Sequence, residues 1–353
     1  LQGRKALVLT IDPARRLANS LGVSSLENTP QRIPLDQFRS LGHSADGELW
    51  AMMLDMKKSF DRIVDRYAAD EKNRREILEN KVYQYFSTSL AGTQEYAASE
   101  RLLELHSEGD YDLIVLDTPP TTHALDFLEA PSRLAEAVEN KALQWLYKPN
   151  LLTGKSGLGL FSAGTSYVVK ALSKFTGTAF LDELSVFLRH FSTMFEGLGE
   201  RANKARDLLM SDRCTFVVVT AADPLQIDES VYFFEQLGSQ QLAVGGFVVN
   251  RVHPDWVPEA ELKRPAVALA NDLAALDVDE PALDANERRR LAERLRENAA
   301  EFHTLAAKDA ASLRRLAEVV PEAIAMVRVP FFAQDVHSLE GLERVRQSMF
   351  GAE

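Results

Sequence analysis

Cysteine is nearly absent, with Cys214 the one thiol in 353 residues. That count rules out an intrachain disulfide framework and a metal site of clustered thiolates. Cys214 opens "CTFVVVTAADP", where a small apolar role at the start of a buried strand is expected. Positive charge is also in deficit: 40 Lys and Arg against 52 Asp and Glu leave a net charge of −12. Contact with a phosphate backbone needs a clustered basic face, so nucleic acid is not expected as a partner. The Arg-rich "NERRRLAERLRE" interleaves Glu and reads as a solvated helix face. No apolar run reaches the roughly 18 residues of a membrane span, and no signal-peptide pattern opens the chain. The expected compartment is the cytoplasm.

A phosphate-binding loop is missing too. Residues 150–161 read "NLLTGKSGLGLF", and Gly154-Lys155-Ser156 has the ending of the G-x-x-x-x-G-K-[ST] pattern. Pro149 stands where the first glycine is needed, and the upstream "NKALQWLYKP" has no β-branched run to form the required strand. The tripeptide reads as a decoy. Around it, residues 142–181 hold four lysines, five glycines and no acid. Glycine at that density weakens any helix. The stretch reads either as a surface loop or as a lid or wall for an apolar ligand.

The length suggests two structural units or one large domain with insertions, and the mixture of 46% hydrophobic and 26% charged residues is that of a globular protein. Six short runs have the Val, Ile and Leu content of buried parallel strands: "KALVLTID", "LWAMMLD", "YDLIVLDTPP", "CTFVVVTAADP", "GGFVVNRV" and "AMVRVP". Helical patterns separate them, which predicts an α/β fold with a doubly wound, mainly parallel sheet. The expected core is discontinuous, at 1–56, 106–131, 212–256 and 321–353. Helical insertions are expected at 57–105, 132–211 and 257–320. In the second insertion Leu184, Phe187, Phe191, Phe195, Leu198, Ala202, Ala205 and Leu209 recur at helical spacing, as core or as a groove that includes Met194 and Met210. In the third, Asp284 and Glu287 form a capping-box pattern ahead of a stripe of Leu291, Leu295, Phe302 and Leu305.

Ligands of doubly wound sheets sit at the carboxyl ends of the strands. There the sequence places Asp12-Pro13, Asp117-Thr118-Pro119, Asp223-Pro224 and Asn250-Arg251. Asp12 closes a strand and could orient water or reach a metal, although Asp-Pro alone is a common turn. Asp117 ends an apolar strand where a carboxylate can serve Mg²⁺ through water. Thr118-Pro119-Pro120-Thr121-Thr122-His123 then makes a stiff loop ahead of an amphipathic helix, of the kind that switches with a γ-phosphate. His123 taken alone also suits a hydrogen-bonded structural role.

Together these stretches resemble the ArsA-type ATPases, the family that includes the targeting ATPases for tail-anchored membrane proteins. "TIDPARRLANSLG" resembles the first switch of that family, and "DTPPTTHALDFLEAP" its second. "VVVTAADPLQIDES" and "GGFVVNRVHP" are similar to its later strands, and "VRVPFFAQDVHSLEGL" to its closing segment. The resemblance runs over nearly the whole chain in the same order. It implies a P-loop NTPase fold of the SIMIBI type and an Mg²⁺-dependent ATPase that switches as a dimer of identical or paralogous subunits. By the same resemblance Asp12 positions the attacking water and Asp117 serves Mg²⁺. Thr118, Pro120, Thr121 and His123 sense the γ-phosphate. Asn250, with Arg251 beside it, and the loop after Pro330 meet the adenine.

The departures are as informative. The family opens with G-K-G-G-V-G-K-T about 25 residues before its Asp-Pro-Ala motif, and residues 1–353 contain no such loop, so a Walker A loop is expected before residue 1. Arg15, Pro119 and Thr122 replace the usual His, Ala and Gly, which suggests a divergent bacterial branch. The thiolate cluster that binds As(III) or Sb(III) in the arsenical-pump members cannot be built from Cys214 alone, and the zinc-binding C-x-x-C of eukaryotic targeting members is missing. A hydrophobic protein segment or membrane protein is the expected cargo. The alternatives are the catalytic subunit of an anion or metalloid transporter, a ParA- or MinD-type scaffold, and a pseudoenzyme.

Overall fold

A computed structural model describes residues 3–11, 16–34, 36, 46–89, 93–118, 121–139, 183, 186–187, 190–275 and 283–351. The tripeptide at 154–156, the whole glycine-rich stretch 142–181, Asp12 and Pro120 lie outside those residues. The chain divides into two compact units, the first made mainly of residues 1–214 and the second mainly of 215–353.

All six expected strands form. In the first unit β1 (Lys5–Thr10), β2 (Gln31–Arg32), β3 (Glu48–Met53) and β4 (Leu113–Asp117) make a sheet of order β2-β3-β1-β4. β1 runs parallel to both β3 and β4, and only the two-residue β2 is antiparallel. β1 lies inside the sheet and buries Leu7 and Leu9 completely. Helix α1 (Arg16–Ser20) and the chain after it cover one side, through Ala18, Leu21, Leu26 and Ile33 packed with Ala51. In the second unit β5 (Phe216–Ala221), β6 (Val244–Val252) and β7 (Ala325–Pro330) form an all-parallel sheet in that order. The mainly parallel α/β architecture is thus as expected, with its strands divided between two sheets.

The helices start where the chain supplies caps. Asp55 accepts the Lys58 N–H to open α2 (Met56–Tyr67), and Asp70 accepts the Asn73 N–H to open α3 (Glu71–Glu79). α4 (Lys81–Ser89) begins on Asn80, whose side chain takes the Val82 and Tyr83 N–H groups. α5 (Thr93–Glu108), α6 (Thr121–Glu139) and α7 (Phe195–Leu209) pack on one another. Leu198, Ala202, Ala205 and Leu209 of α7 are buried, and so are Phe187, Phe191 and Met194 just before it, with Phe187 against Tyr83 of α4. Those members of the stripe are core; Leu184 lies outside the described residues. In the second unit Asp223 caps α8 (Pro224–Ser239), with Pro224 in its first turn. After α9 (Glu259–Leu262) and α10 (Ala266–Ala275) comes the 35-residue α11 (Ala285–Val319), opened by the expected Asp284–Glu287 capping box. α12 (Leu339–Phe350) follows β7.

Between α2, α5 and α7 the packing is unusually polar. Glu104 accepts hydrogen bonds from Arg66 and Arg101 and lies 3.5 Å from Arg62. One turn earlier, Arg201 Nε donates to Glu100 at 2.5 Å. Burial pushes the Glu100 carboxyl above its usual range, and Arg201 only partly counters it. Burial acts on Glu104 in the same sense, but the hydrogen bond and charge of Arg101, with Arg66 and Arg62, outweigh it and hold that carboxyl low. The Tyr96 hydroxyl and the second Glu100 oxygen are buried with no hydrogen-bond partner among the described residues, so part of the desolvation is uncompensated.

Candidate functional site

In the first unit the parallel register sets Thr10 beside Asp117 at the carboxyl ends of β1 and β4. Thr10 is 2% exposed, and its Oγ1 donates to Asp117 Oδ2 at 2.9 Å. The Ile11 N–H reaches the Asp117 carbonyl at 3.3 Å. An exposed carboxylate is thereby held on a rigid sheet edge, with its orientation set by a buried hydroxyl. Thr118 follows, also exposed, while Thr121 and His123 belong to the first turn of α6. Just past β3, which lies next to β1, the Leu54 N–H bonds the Thr10 carbonyl and Asn28 Oδ1 accepts the Asp55 N–H at 2.9 Å. Thr10 and Asn28 thus tie together the strand ends around Asp117.

In the second unit the ladder between β6 and β7 is irregular between Val249 and Val252, so Val252 rather than Arg251 faces Pro330. Such a bulge re-aims side chains at a sheet rim. Arg251 takes up the irregularity with a left-handed φ of 59°. For a non-glycine residue that conformation costs on the order of 1 kcal/mol or more and persists where its neighbours impose it. Those neighbours are identifiable. Asn250 Oδ1 accepts the Arg251 N–H at 2.9 Å, and the Phe331 N–H donates to the Val252 carbonyl at 2.8 Å. The Arg251 guanidinium lies 5.5 Å from the centre of the Phe331 ring. With its oxygen turned to the backbone, the exposed Asn250 amide has its Nδ2 donors left for a ligand.

The structure therefore brings Asn250, Arg251 and Pro330 to one rim in the second unit, and Asp117 and Thr118 to one sheet edge in the first. A carboxylate oxygen is the hard donor that Mg²⁺ prefers, directly or through water, and Asp117 fits that chemistry. An amide donor beside a proline and an aromatic ring fits a planar heterocycle. Among the described residues no three His, Cys, Asp or Glu gather as a metal-holding cluster, and no helix is long and apolar enough to cross a membrane. Cys214 precedes β5, and burial raises its thiol pKa, so little of it is the reactive thiolate.

Thr10 was not foreseen from sequence. Its one signal is the strand register, which pairs residue 10 with residue 117 across 107 positions. Of the residues around Arg251, Phe331 lies in the loop after Pro330 that the sequence marked, whereas His253, two positions on, was not singled out.

Comparison with known proteins gives a consistent result. The family model described as "Anion-transporting ATPase" matches residues 1–265. The protein named "ATPase get3" of Aspergillus terreus is 26% identical over 252 residues, 70% of this chain and 65% of that protein. "ATPase get3" of Aspergillus niger is 26% identical over 255 residues, 70% of this chain and 64% of its own length. The chain thus spans a little under two thirds of the curated relatives it matches.

Proposed function

The chain belongs to the anion-transporting ATPase family, and from that premise we propose that the full-length protein is an Mg²⁺-dependent ATPase whose hydrolysis cycle drives movement of its helical insertions. The observation that carries the reading is the Asp117 carboxylate, presented at a sheet edge and oriented by buried Thr10. In phosphoryl transfer the protein contributes positioning and charge stabilisation rather than covalent chemistry, and a strand-end carboxylate is suited to both.

In this reading Asp117 holds the metal through water and Asp12 orients the attacking water. Mg²⁺, when bound, supplies positive charge against the phosphate oxygens. Thr118, Pro120, Thr121 and His123 sense the γ-phosphate and pass its presence to α6, which packs on α5 and α7. Asn250 donates from its amide to the adenine ring, Arg251 flanks it, and the Pro330 loop lies against the base. The nucleotide core is the discontinuous set 1–56, 106–131, 212–256 and 321–353, with helical insertions at 57–105, 132–211 and 257–320. The working form is a dimer in the cytoplasm, and the cargo is a hydrophobic protein segment or a membrane protein. The family resemblance and the apolar 142–181 stretch support that cargo; the buried stripe on α7 does not contribute to it.

Phosphate release by the full-length protein, with and without Mg²⁺, tests the proposal. It predicts release that needs both ATP and Mg²⁺; a protein that binds neither ATP nor ADP would sink it. Binding of a transmembrane-segment peptide in the presence and absence of ATP tests the cargo separately.

A further inference from the structure

One acidic side chain on α11 holds the rim that carries Asn250 and Arg251. Asp309 is buried on the inner face of that helix, with Ala306, Ser312, Leu313 and Leu316. Its Oδ2 accepts two bonds from one residue: the His253 backbone N–H at 2.7 Å and the His253 ring at Nδ1, 2.8 Å away. A carboxylate only accepts, so Nδ1 carries the proton, and backbone and ring of His253 are fixed by a single atom. The His253 ring then stacks on Phe331, with centres 5.0 Å apart and planes 19° from parallel. Phe331 also meets the Arg251 guanidinium and donates its N–H to the Val252 carbonyl. A continuous set of contacts therefore runs from Asp309 through His253 and Phe331 to left-handed Arg251, whose N–H in turn fixes the Asn250 amide.

We propose that Asp309 and His253 are positioning residues of the base subsite: Asp309 locks His253, His253 locks Phe331 and the bulge at Arg251, and the locked bulge aims the Asn250 amide at the purine. This inference rests on the reading of Asn250 and Arg251 as base contacts. Neither Asp309 nor His253 touches the ligand. Removing the lock lets Arg251 relax to an ordinary φ, and the Asn250 amide turns with it. Binding through the phosphates is untouched, so the loss falls on discrimination between bases.

The test is titration of the full-length protein with ADP and with GDP by calorimetry, together with ATP turnover. Wild type is expected to prefer ADP. Asp309→Ala should weaken ADP at least tenfold, leave GDP within about twofold, raise the KM for ATP and leave kcat within about twofold. Asp309→Asn keeps an acceptor oxygen in place and should recover most of the preference, which a purely electrostatic role for Asp309 would not allow. His253→Ala removes the ring contact from a partly exposed position and should reproduce the loss even if Asp309→Ala fails to fold. A folded His253→Ala protein that still prefers ADP to the wild-type degree would overturn the inference. A wild type that binds ADP and GDP alike would instead refute the base-subsite reading beneath it.

Discussion

Thr10 and Asp117 stand 107 positions apart in sequence, yet the hydroxyl of one donates to the carboxylate of the other at 2.9 Å across adjacent parallel strands. The bond is directional in its consequence. Thr10 is buried and fixed by β1, whereas Asp117 is exposed, so the threonine sets the aspartate and not the reverse. Thr10→Val keeps the shape and the β-propensity and removes the hydroxyl that donates to Asp117. The fold should lose less than about 1 kcal/mol, because water can replace the donor at the exposed carboxylate. The Mg²⁺ concentration for half-maximal ATP turnover should rise roughly tenfold, as when a residue orienting a metal ligand is lost. A metal titration of the activity reads this, and an unchanged midpoint would mean that Thr10 does not orient the site.

The α2–α5–α7 block should show opposite pH effects from two neighbouring glutamates. The Glu104 carboxyl is held low, so its stabilisation is complete above the ordinary glutamate value of about 4.3 and is lost as pH falls through the lowered one. Glu100 is held high, so its effect has the other sign: stability declines as pH rises from about 4.3 through the raised value. Glu104→Gln leaves Arg66, Arg101 and Arg62 without their carboxylate and should cost about 2–3 kcal/mol at pH 7, discounted for the partial exposure of Arg62 and Arg66. Urea unfolding from pH 7 to pH 3 should show that deficit shrinking toward acid; a constant deficit would contradict the assigned shift.

The apolar stripe of α7 makes a contrast between two of its residues. Leu198 is 2% exposed against α5 and α6, while Met210 at the helix end is 47% exposed. Leu198→Ala should destabilise by about 2–4 kcal/mol, and Met210→Ala by less than about 0.5 kcal/mol. Thermal melts of the two variants decide it. Similar small effects from both would return the stripe to the surface.

What the sequence made legible, and what it hid, follows from how far each signal reaches. The six strands were readable because each is a short Val-, Ile- and Leu-rich run, and the Asp284 cap because caps are local, whereas Asp223 was marked for its strand end and not as the cap it is. β2 was not, since Gln31-Arg32 gains its identity only by pairing with β3. Full burial was expected of every strand, yet Leu113 and Val115 on β4, and Val217 and Val219 on β5, are exposed. Both strands are outermost in their sheets, a position that composition cannot reveal. On α11 the conspicuous Leu295, Phe302 and Leu305 are each exposed, and the buried face is the quieter one of Ala292, Ala306, Asp309, Ser312, Leu313 and Leu316. Large side chains dominate a reading by periodicity, whereas close packing favours small ones. Asp117, Asn250 and Arg251 were marked as functional by their place at strand ends. Thr10, His253 and Asp309 act through register and long-range contact, and no local pattern announces them.

The central claim is that Asp117 carries the metal for ATP hydrolysis, and turnover by Asp117→Asn in the full-length protein tests it most directly. The substitution keeps size and an acceptor for the Thr10 hydroxyl but removes the charge. At saturating ATP and Mg²⁺ the account predicts a fall in kcat on the order of a hundredfold or more, with the melting temperature nearly unchanged. Turnover within twofold of the wild type would contradict it.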